Sequence, residues 1–280
     1  MTGVSAASPE AFEIPCKDGL TIRGEVYPAE TLIGTVILCH GFKGFAHWGP
    51  FPYLARTLAE NGLRAITFDF SGSGIGRDRE SFTEEAAFAG NTLSRDLDDM
   101  DNLVDYLRRK DLITGKFGLF GHSRGGGTGI LFTAANDSVS SLVTWSAISY
   151  PNRWSSEDQL TWRRRGYAEV TNSRTGQIMR LDTGLLDDVE VHGSTKLNIE
   201  GAAARIKVPW LIVHGTGDDT VPSSEAERLH SLSPGVSTLR LIEGASHGFD
   251  AKHPLAQVPP VLEKVVLETV NFFVRNATTG

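Results

Sequence analysis

Cysteine is scarce in this 280-residue chain, which contains only Cys16 and Cys39. So few thiols exclude a disulfide scaffold, and their use gives no indication of an oxidising compartment. Cys16 falls in a predicted N-terminal strand and Cys39 ends an apolar run. We therefore expect two buried free thiols rather than one disulfide.

Long apolar runs and a surplus of basic residues are also missing. No run of 18 apolar residues occurs, which argues against a membrane-spanning helix. The first ten residues have neither the basic nor the apolar region of a signal peptide. The net charge is −7, so no basic surface for nucleic acid or anionic membranes is indicated. We expect a cytoplasmic protein without nucleic-acid or membrane partners, and the oligomeric state stays open.

What the sequence does contain is an alternation of short apolar runs and helical periodicity. Near-continuous apolar runs are typical of strands that are covered on both faces. Five such strands are predicted at residues 35–39, 65–68, 117–120, 142–145 and 210–213. A sixth run, residues 238–242, alternates more. The 40% hydrophobic content is enough for one large core, so residues 1–280 are expected to form a single domain.

Helical segments lie between the predicted strands. One follows Pro50 and closes at Asn61-Gly62, a second covers residues 93–107, and a third covers residues 261–273. Strand–helix alternation of this kind predicts an α/β fold with a mostly parallel central sheet flanked by helices. The alternating runs on either side of Asp18-Gly19 predict an antiparallel hairpin at the start.

Residues 150–205 interrupt this pattern because they contain no strong strand. The segment holds Trp154, Trp162 and three consecutive arginines at 163–165. We interpret it as a small cap insertion over the carboxyl edge of the sheet. The arginines are expected to form a solvated face rather than an anion site. The two tryptophans are candidate substrate-binding residues, and the competing interpretation places them in the core of the cap.

A candidate nucleophile lies in Gly121-His-Ser-Arg-Gly125, which fits the pattern G-x-S-x-G. The motif directly follows a predicted strand and precedes a predicted helix, which is the context that such a nucleophile requires. Because the turn is tight, only small residues fit at the positions two residues before and two residues after Ser123. The turn lifts the Ser123 hydroxyl above the sheet and leaves the Arg124 N–H free to face a developing oxyanion.

A second glycine-rich turn, at residues 39–44, follows another predicted strand. Acyl transfer needs two amide donors for the oxyanion, and the Phe42 N–H is the candidate for the second. His40, in the same turn, is interpreted as a structural hydrogen-bonding residue rather than as the catalytic base.

Two further turns carry a possible base and its partner. Residues 214–222 follow a strand and contain Asp218 and Asp219, either of which could orient a histidine and stabilise its cation. Residues 244–249 follow the sixth predicted strand and place His247 between small residues.

Together these blocks resemble the α/β-hydrolase superfamily over nearly the whole chain, roughly residues 12–274. Within this superfamily, the chain looks like the carboxylesterases, cinnamoyl esterases and dipeptidyl-aminopeptidase-like hydrolases. In α/β-hydrolases the triad residues occur along the chain in the order Ser, Asp, His. The resemblance implies a triad of Ser123, Asp218 and His247, because the family's H-G-x-x-D-x-x-V-P block aligns its aspartate with Asp218. It also matches Asp69-Phe-Ser-Gly72 to a structural turn, and it implies a cap at residues 150–205.

The function expected from these observations is hydrolysis of a small carboxylic ester through an acyl-enzyme, without a metal or cofactor. No zinc-binding spacing, P-loop or dinucleotide fingerprint occurs. A peptidase or amidase of the same fold, acting on short peptides or amides, is the alternative. A non-catalytic binding protein is a third, although such proteins tend to lose triad residues and none is missing here.

Overall fold

The protein is described here from a computed structural model that covers residues 8–172 and 176–277. At its centre is an eight-stranded sheet in the order β1-β2-β4-β3-β5-β6-β9-β10. Its strands are β1 (Glu10–Pro15), β2 (Thr21–Tyr27), β3 (Gly34–Cys39), β4 (Leu63–Asp69), β5 (Phe117–His122), β6 (Val139–Trp145), β9 (Trp210–Gly215) and β10 (Ser237–Ile242). All six strands from β3 onwards in this set are parallel, and β1 and β2 add antiparallel pairings at one edge. The predicted mostly parallel sheet and N-terminal hairpin are confirmed.

Helices cover both faces of this sheet. The described helices are α1 (Phe51–Glu60), α2 (Glu85–Ala89), α3 (Leu93–Arg109), α4 (Arg124–Ala135), α5 (Ser156–Arg165), α6 (Gly184–His192), α7 (Ile199–Ala203), α8 (Ser223–Leu232) and α9 (Pro260–Arg275). Of these, α1 and α9 lie on one face of the sheet, and α3, α4 and α8 lie on the other. Alternate residues of the central strands enter two separate hydrophobic clusters. Val36 and Leu38 of β3 pack with α1 and α9, whereas Ile37 and Cys39 pack with α3 and α4. This two-sided burial explains why the strands are apolar without interruption.

Helix boundaries follow local sequence signals. Thr92 caps α3 by accepting a hydrogen bond from the Arg95 N–H at 3.1 Å, and two arginines close its last turn. After α1, Gly62 adopts a left-handed conformation with φ of 84°, which is why glycine fits there. The predicted helix ends at both places are confirmed.

Residues 150–205 contain α5, α6 and α7 and a two-stranded antiparallel sheet of β7 (Tyr167–Thr171) and β8 (Ile178–Asp182). The sequence predicts no strong strand here, because each of these strands has only five residues and β7 has no buried one. Positions 173–175, between them, lie outside the described residues. Arg163 pairs with Asp187 and Glu190 at 2.7 and 2.6 Å on an exposed face, as expected of a solvated face.

The two cysteines are free thiols, as predicted. Cys39 is buried in the core, but Cys16 is only partly buried because β1 lies at the edge of the sheet. In the described part of the chain, no helix combines the length and apolar character needed to cross a bilayer. The prediction that no signal peptide is present concerns the first ten residues, of which residues 1–7 lie outside the described residues.

Candidate active site

Ser123 lies at a sharp turn between the end of β5 and the start of α4. Its backbone has φ of 57° and ψ of −121°, a combination that costs conformational energy and occurs mainly at functional sites. The turn is fixed by the Ser123 N–H, which donates to the Trp145 carbonyl at 2.9 Å. The strained turn therefore holds Ser123 at the carboxyl edge of the sheet and at the N-terminus of a helix.

Two glycines make this turn possible. A Cβ atom on Gly121 would lie 2.3 Å from the Gly125 carbonyl oxygen, and one on Gly125 would lie 2.3 Å from the His40 carbonyl oxygen. Both distances are far below van der Waals contact, so only glycine fits at either position. The spacing in G-x-S-x-G is thus a packing requirement of the turn.

The Arg124 N–H and the turn that carries Phe42 lie next to Ser123. Arg124 is the first residue of α4, where backbone N–H groups have no acceptor within the helix. The other turn is closed by the Gly44 N–H, which donates to the Gly41 carbonyl at 3.0 Å. Phe42 and Arg124 both line the cavity that contains Ser123.

His247 and Asp218 form a short hydrogen bond, with 2.7 Å between His247 Nδ1 and Asp218 Oδ2. A carboxylate can only accept, so Nδ1 carries the proton and Nε2 is left with a free lone pair. The Asp218 side chain is fully buried, whereas that of His247 is 21% exposed and lines the same cavity as Ser123.

Every oxygen of the Asp218 carboxylate has partners. Oδ1 accepts from the Thr220 and Val221 N–H groups, both at 2.9 Å, and Oδ2 also lies 3.2 Å from His214 Nε2. Burial alone would raise the pKa of Asp218, but the hydrogen bonds from His214 and His247 hold that pKa well below its ordinary value. Asp219 is exposed, and its carboxylate accepts only from the Thr220 hydroxyl among the described contacts.

Two further histidines surround His247, and the sequence analysis gave neither of them a role. His214 is fully buried, and its Nε2 donates to the Val221 carbonyl at 2.8 Å. His122 packs against the His247 ring at 4.7 Å, and its Nε2 donates to the His247 carbonyl at 3.0 Å. Burial, and then the nearby His247, lower the pKa of His122 to about 3, so its ring stays neutral. In the sequence, both histidines could have been recognised by their position at the carboxyl end of a predicted strand.

The other motif residues have structural roles, as expected. His40 Nδ1 donates to the Gly41 carbonyl at 2.8 Å, while its Nε2 accepts from the Phe70 N–H at 3.2 Å. Burial lowers the pKa of His40, which agrees with a neutral ring. Asp69 accepts from the Ala46 N–H at 2.7 Å and from Arg79 at 3.2 Å, and so ties two loops together.

The cavity beside Ser123 has a volume of about 530 Å³, large enough for a small organic ligand. The segment from 150 to 205 contributes one wall, which includes Pro151 and Trp154. Trp162 does not line this cavity: it is 2% exposed and packs edge-to-face behind Trp154 at 5.1 Å. The structure thus separates the two tryptophans, with Trp154 on the wall and Trp162 in the core behind it.

The Arg124 side chain connects both sides of the Ser123 turn. Its Nε donates to Asp96 Oδ2 at 2.9 Å, and its guanidinium lies 5.5 Å from the centre of the Phe42 ring. Both charged side chains are more than nine-tenths buried. Burial raises the pKa of Asp96 to about 6 even though Arg124 acts in the opposite direction, so the pair is ionised above that pH.

Replacing Asp96 by alanine is expected to lower the free energy of unfolding by about 3–5 kcal/mol at pH 8, because a buried Arg124 charge loses its partner. Urea denaturation of both proteins measures this loss. Asp98→Ala is the matched control, since Asp98 lies on the same helix but is exposed. A loss within about 0.5 kcal/mol of that control would contradict the assigned pairing.

Comparisons with known proteins agree with this fold. A family model described as the alpha/beta hydrolase fold matches residues 34–165. YfhR of Salmonella typhi, an uncharacterized protein, is 27% identical over 244 residues, which cover 82% of this chain and 72% of YfhR.

Solved structures extend the similarity to the full fold. Est1E from Butyrivibrio proteoclasticus, determined with bound ferulic acid, has a TM-score of 0.73 at 22% identity and covers 95% of this chain and 98% of its own. The alpha/beta hydrolase GrgF from Penicillium sp. sh18 has a TM-score of 0.74 at 16% identity, with 97% and 99% covered. The chain therefore has the α/β-hydrolase fold, and the predicted resemblance to α/β hydrolases is confirmed.

Proposed function

We propose that the protein is a serine hydrolase that cleaves carboxylic esters through an acyl-enzyme. Ser123 is the nucleophile, His247 the general base and Asp218 the residue that orients His247. The observation that carries this proposal is the 2.7 Å hydrogen bond between His247 and buried Asp218 beside the strained Ser123 turn, with Ser123 and His247 on one cavity.

In the proposed first step, the Ser123 hydroxyl attacks the ester carbonyl carbon while His247 Nε2 takes its proton. The carbonyl oxygen becomes negatively charged, and the N–H groups of Phe42 and Arg124 stabilise it. His247 then gives its proton to the departing alcohol oxygen as the carbon–oxygen bond breaks. Water attacks the acyl-enzyme by the same route, with His247 as base, and releases the acid and Ser123.

Asp218 has two tasks in this scheme. It fixes the His247 tautomer so that Nε2 is the basic atom, and its negative charge stabilises the imidazolium that forms in each transition state. A carboxylate whose pKa is held far below its usual range stays ionised throughout the working pH range. The hydrogen bond from His214 further fixes the orientation of the Asp218 carboxylate.

We further propose that residues 150–205 act as a cap that shapes substrate choice and contributes no reacting group. Support comes from Pro151, Arg153 and Trp154, which line the cavity, while every residue with a proposed catalytic role lies outside the segment.

An aminopeptidase of this fold would need a carboxylate in the cavity to hold the free amine of its substrate. Among the described residues, the cavity lining contains neither aspartate nor glutamate. An ester substrate has no such requirement, so this lining favours the esterase over the peptidase alternative.

A parallel assay of 4-nitrophenyl acetate and butyrate against alanyl- and leucyl-4-nitroanilide tests the proposal. All four release a coloured product, so the same absorbance readout serves both chemistries. We expect kcat/KM for the esters to exceed that for the anilides by at least about a hundredfold, equivalent to a difference of roughly 2.7 kcal/mol in activation free energy. Equal or faster cleavage of the anilides would replace the ester proposal with the peptidase alternative.

A further inference from the structure

The charged side chains that line the cavity beside Ser123 are all positive. Lys43, Arg124 and Arg153 are on its walls, with no carboxylate among the described lining residues. The whole chain has the opposite balance, with 34 acidic against 27 basic residues. Asp96 balances the charge of Arg124 from behind the wall. Arg153 and Lys43 are therefore the cations that can act on a ligand. Their position in the cavity of an acidic protein favours an anionic ligand.

Arg153 is held in a fixed position on the cap side of the cavity. Its Nη1 lies 2.6 Å from Glu225 Oε1, and its guanidinium stacks 4.6 Å from the centre of the Tyr150 ring. Glu225 Oε2 in turn accepts from the N–H and hydroxyl of Ser149, at 2.7 and 3.1 Å. Because the Glu225 side chain is only 6% exposed and does not line the cavity, it orients Arg153 from behind.

The contact with Glu225 leaves other N–H groups of the Arg153 guanidinium available to a ligand. A guanidinium has five N–H donors in one plane, and the contact with Glu225 Oε1 is made through Nη1 alone. The Arg153 side chain is 23% exposed, so part of it remains accessible from the cavity. A carboxylate suits these donors because its two oxygens match the planar fork of a guanidinium.

Lys43 adds a second positive charge to the cavity lining. It directly follows Phe42 in the turn, has a left-handed φ of 58°, and donates to the Thr171 carbonyl at 3.4 Å. The lysine is exposed and no carboxylate partner is found for it among the described residues. It can therefore attract an anion into the cavity, although solvent weakens its contribution.

We propose that the substrates of this site are esters that carry a free carboxylate, bound by Arg153 with support from Lys43. This inference rests on the proposed ester hydrolysis at Ser123 and names the substrate class for that reaction. The carboxylate belongs either to the acyl chain, as in a half-ester of a dicarboxylic acid, or to the alcohol, as in an ester of a hydroxy acid. Both present the same group to Arg153.

Two pairs of esters with equal shape and different charge test the proposal. In the acyl arm, 4-nitrophenyl hemisuccinate is compared with 4-nitrophenyl 4-methylpentanoate, which has two methyl groups where the succinyl group has two oxygens. In the alcohol arm, carboxymethyl butyrate is compared with isobutyl butyrate. For each pair, the ratio of kcat/KM is measured in the wild type and in Arg153→Gln. Dividing one ratio by the other cancels the intrinsic reactivity of the esters.

We expect Arg153→Gln to lower the anionic-to-neutral ratio at least about tenfold in one arm, the value of a hydrogen bond to a charged group. Arg153→Lys should restore part of that loss, because it keeps the cation. Lys43→Gln should lower the same ratio by no more than about fivefold, as expected for an exposed charge. Arg163→Gln removes a cation from the outer face of the segment and should leave the ratio unchanged.

Binding of product-like amides to the wild type gives a measurement that does not depend on a variant folding. Succinamate and 4-methylpentanamide both have an amide where the substrate has its ester group, but only succinamate carries a carboxylate. Succinamate should inhibit at least about tenfold more strongly than 4-methylpentanamide. Isothermal calorimetry of both compounds gives the same comparison without turnover. If no ester were cleaved but succinamate still bound more tightly, the anion site would stand and the proposed hydrolysis would fail.

The proposal is overturned if neutral esters are cleaved while the ratio stays the same in wild type and Arg153→Gln in both arms. Equal binding of succinamate and 4-methylpentanamide would overturn it as well. In either case the ester hydrolysis proposed above would remain intact, because it depends on Ser123, His247 and Asp218 and not on Arg153.

Discussion

Ser123→Ala is expected to lower kcat for ester hydrolysis by about 10⁴-fold or more, because the attacking oxygen is removed. What remains is the residual catalysis that the oxyanion donors and substrate binding supply. The fold should persist, since Ser123 is only partly buried and no described contact is made by its hydroxyl. Steady-state kinetics with 4-nitrophenyl butyrate, combined with a thermal melt, measures both effects.

Ser231→Ala is a suitable control for this experiment. Ser231 is exposed on α8, its hydroxyl donates to the Arg228 carbonyl at 2.7 Å, and it does not line the cavity. That variant should retain the wild-type rate. More than a tenth of the wild-type activity in Ser123→Ala would reject Ser123 as the nucleophile.

Asp218→Asn should lower kcat by about 10⁴-fold, because an amide in place of the carboxylate favours the wrong His247 tautomer and removes the charge that stabilises the imidazolium. Asp218 Oδ2 accepts from His247, and Oδ1 accepts from the Thr220 and Val221 N–H groups. An asparagine has only one acceptor oxygen, so its NH₂ group would have to face one of these two sets of donors. The measurement is kcat and KM for one ester, with circular dichroism to verify the fold.

The adjacent aspartate provides the matched comparison. Asp219 is exposed and lacks a contact with His247 among the described residues, so Asp219→Asn should reduce kcat by no more than a small factor. Measured side by side, the two variants rank the two carboxylates. The reverse ranking would show that Asp219 orients His247 in the active conformation.

The fold was predictable because its signals are local and strong. The core strands are covered on both faces, so residues 36–39 of β3, 117–120 of β5 and 210–213 of β9 are apolar without a break. The Ser123 turn was recognisable because close backbone approaches at Gly121 and Gly125 exclude every side chain. Motif register alone separated Asp218 from Asp219, and the structure gives that choice a physical basis in the contact with His247.

Other features depend on contacts between distant parts of the chain, so the sequence could not supply them. The pairing of β7 with β8 joins two short strands with few buried residues, which have little periodic signal. Nothing in the sequence distinguishes Trp154 from Trp162 as a cavity residue. Only the packing of the segment shows that Trp162 lies behind Trp154. The contact between Arg153 and Glu225 spans 72 residues and leaves no local pattern.

Covalent labelling with a fluorophosphonate, followed by intact-mass measurement and peptide mapping, tests the central claim most directly. The probe reacts only with an activated serine, so it reports the nucleophile independently of the natural substrate. We predict one adduct per chain, located on Ser123 and absent from Ser123→Ala. A cooperatively folded wild-type protein that takes up no label, or that is labelled at a different serine, would contradict the assignment of this site as a serine hydrolase centre.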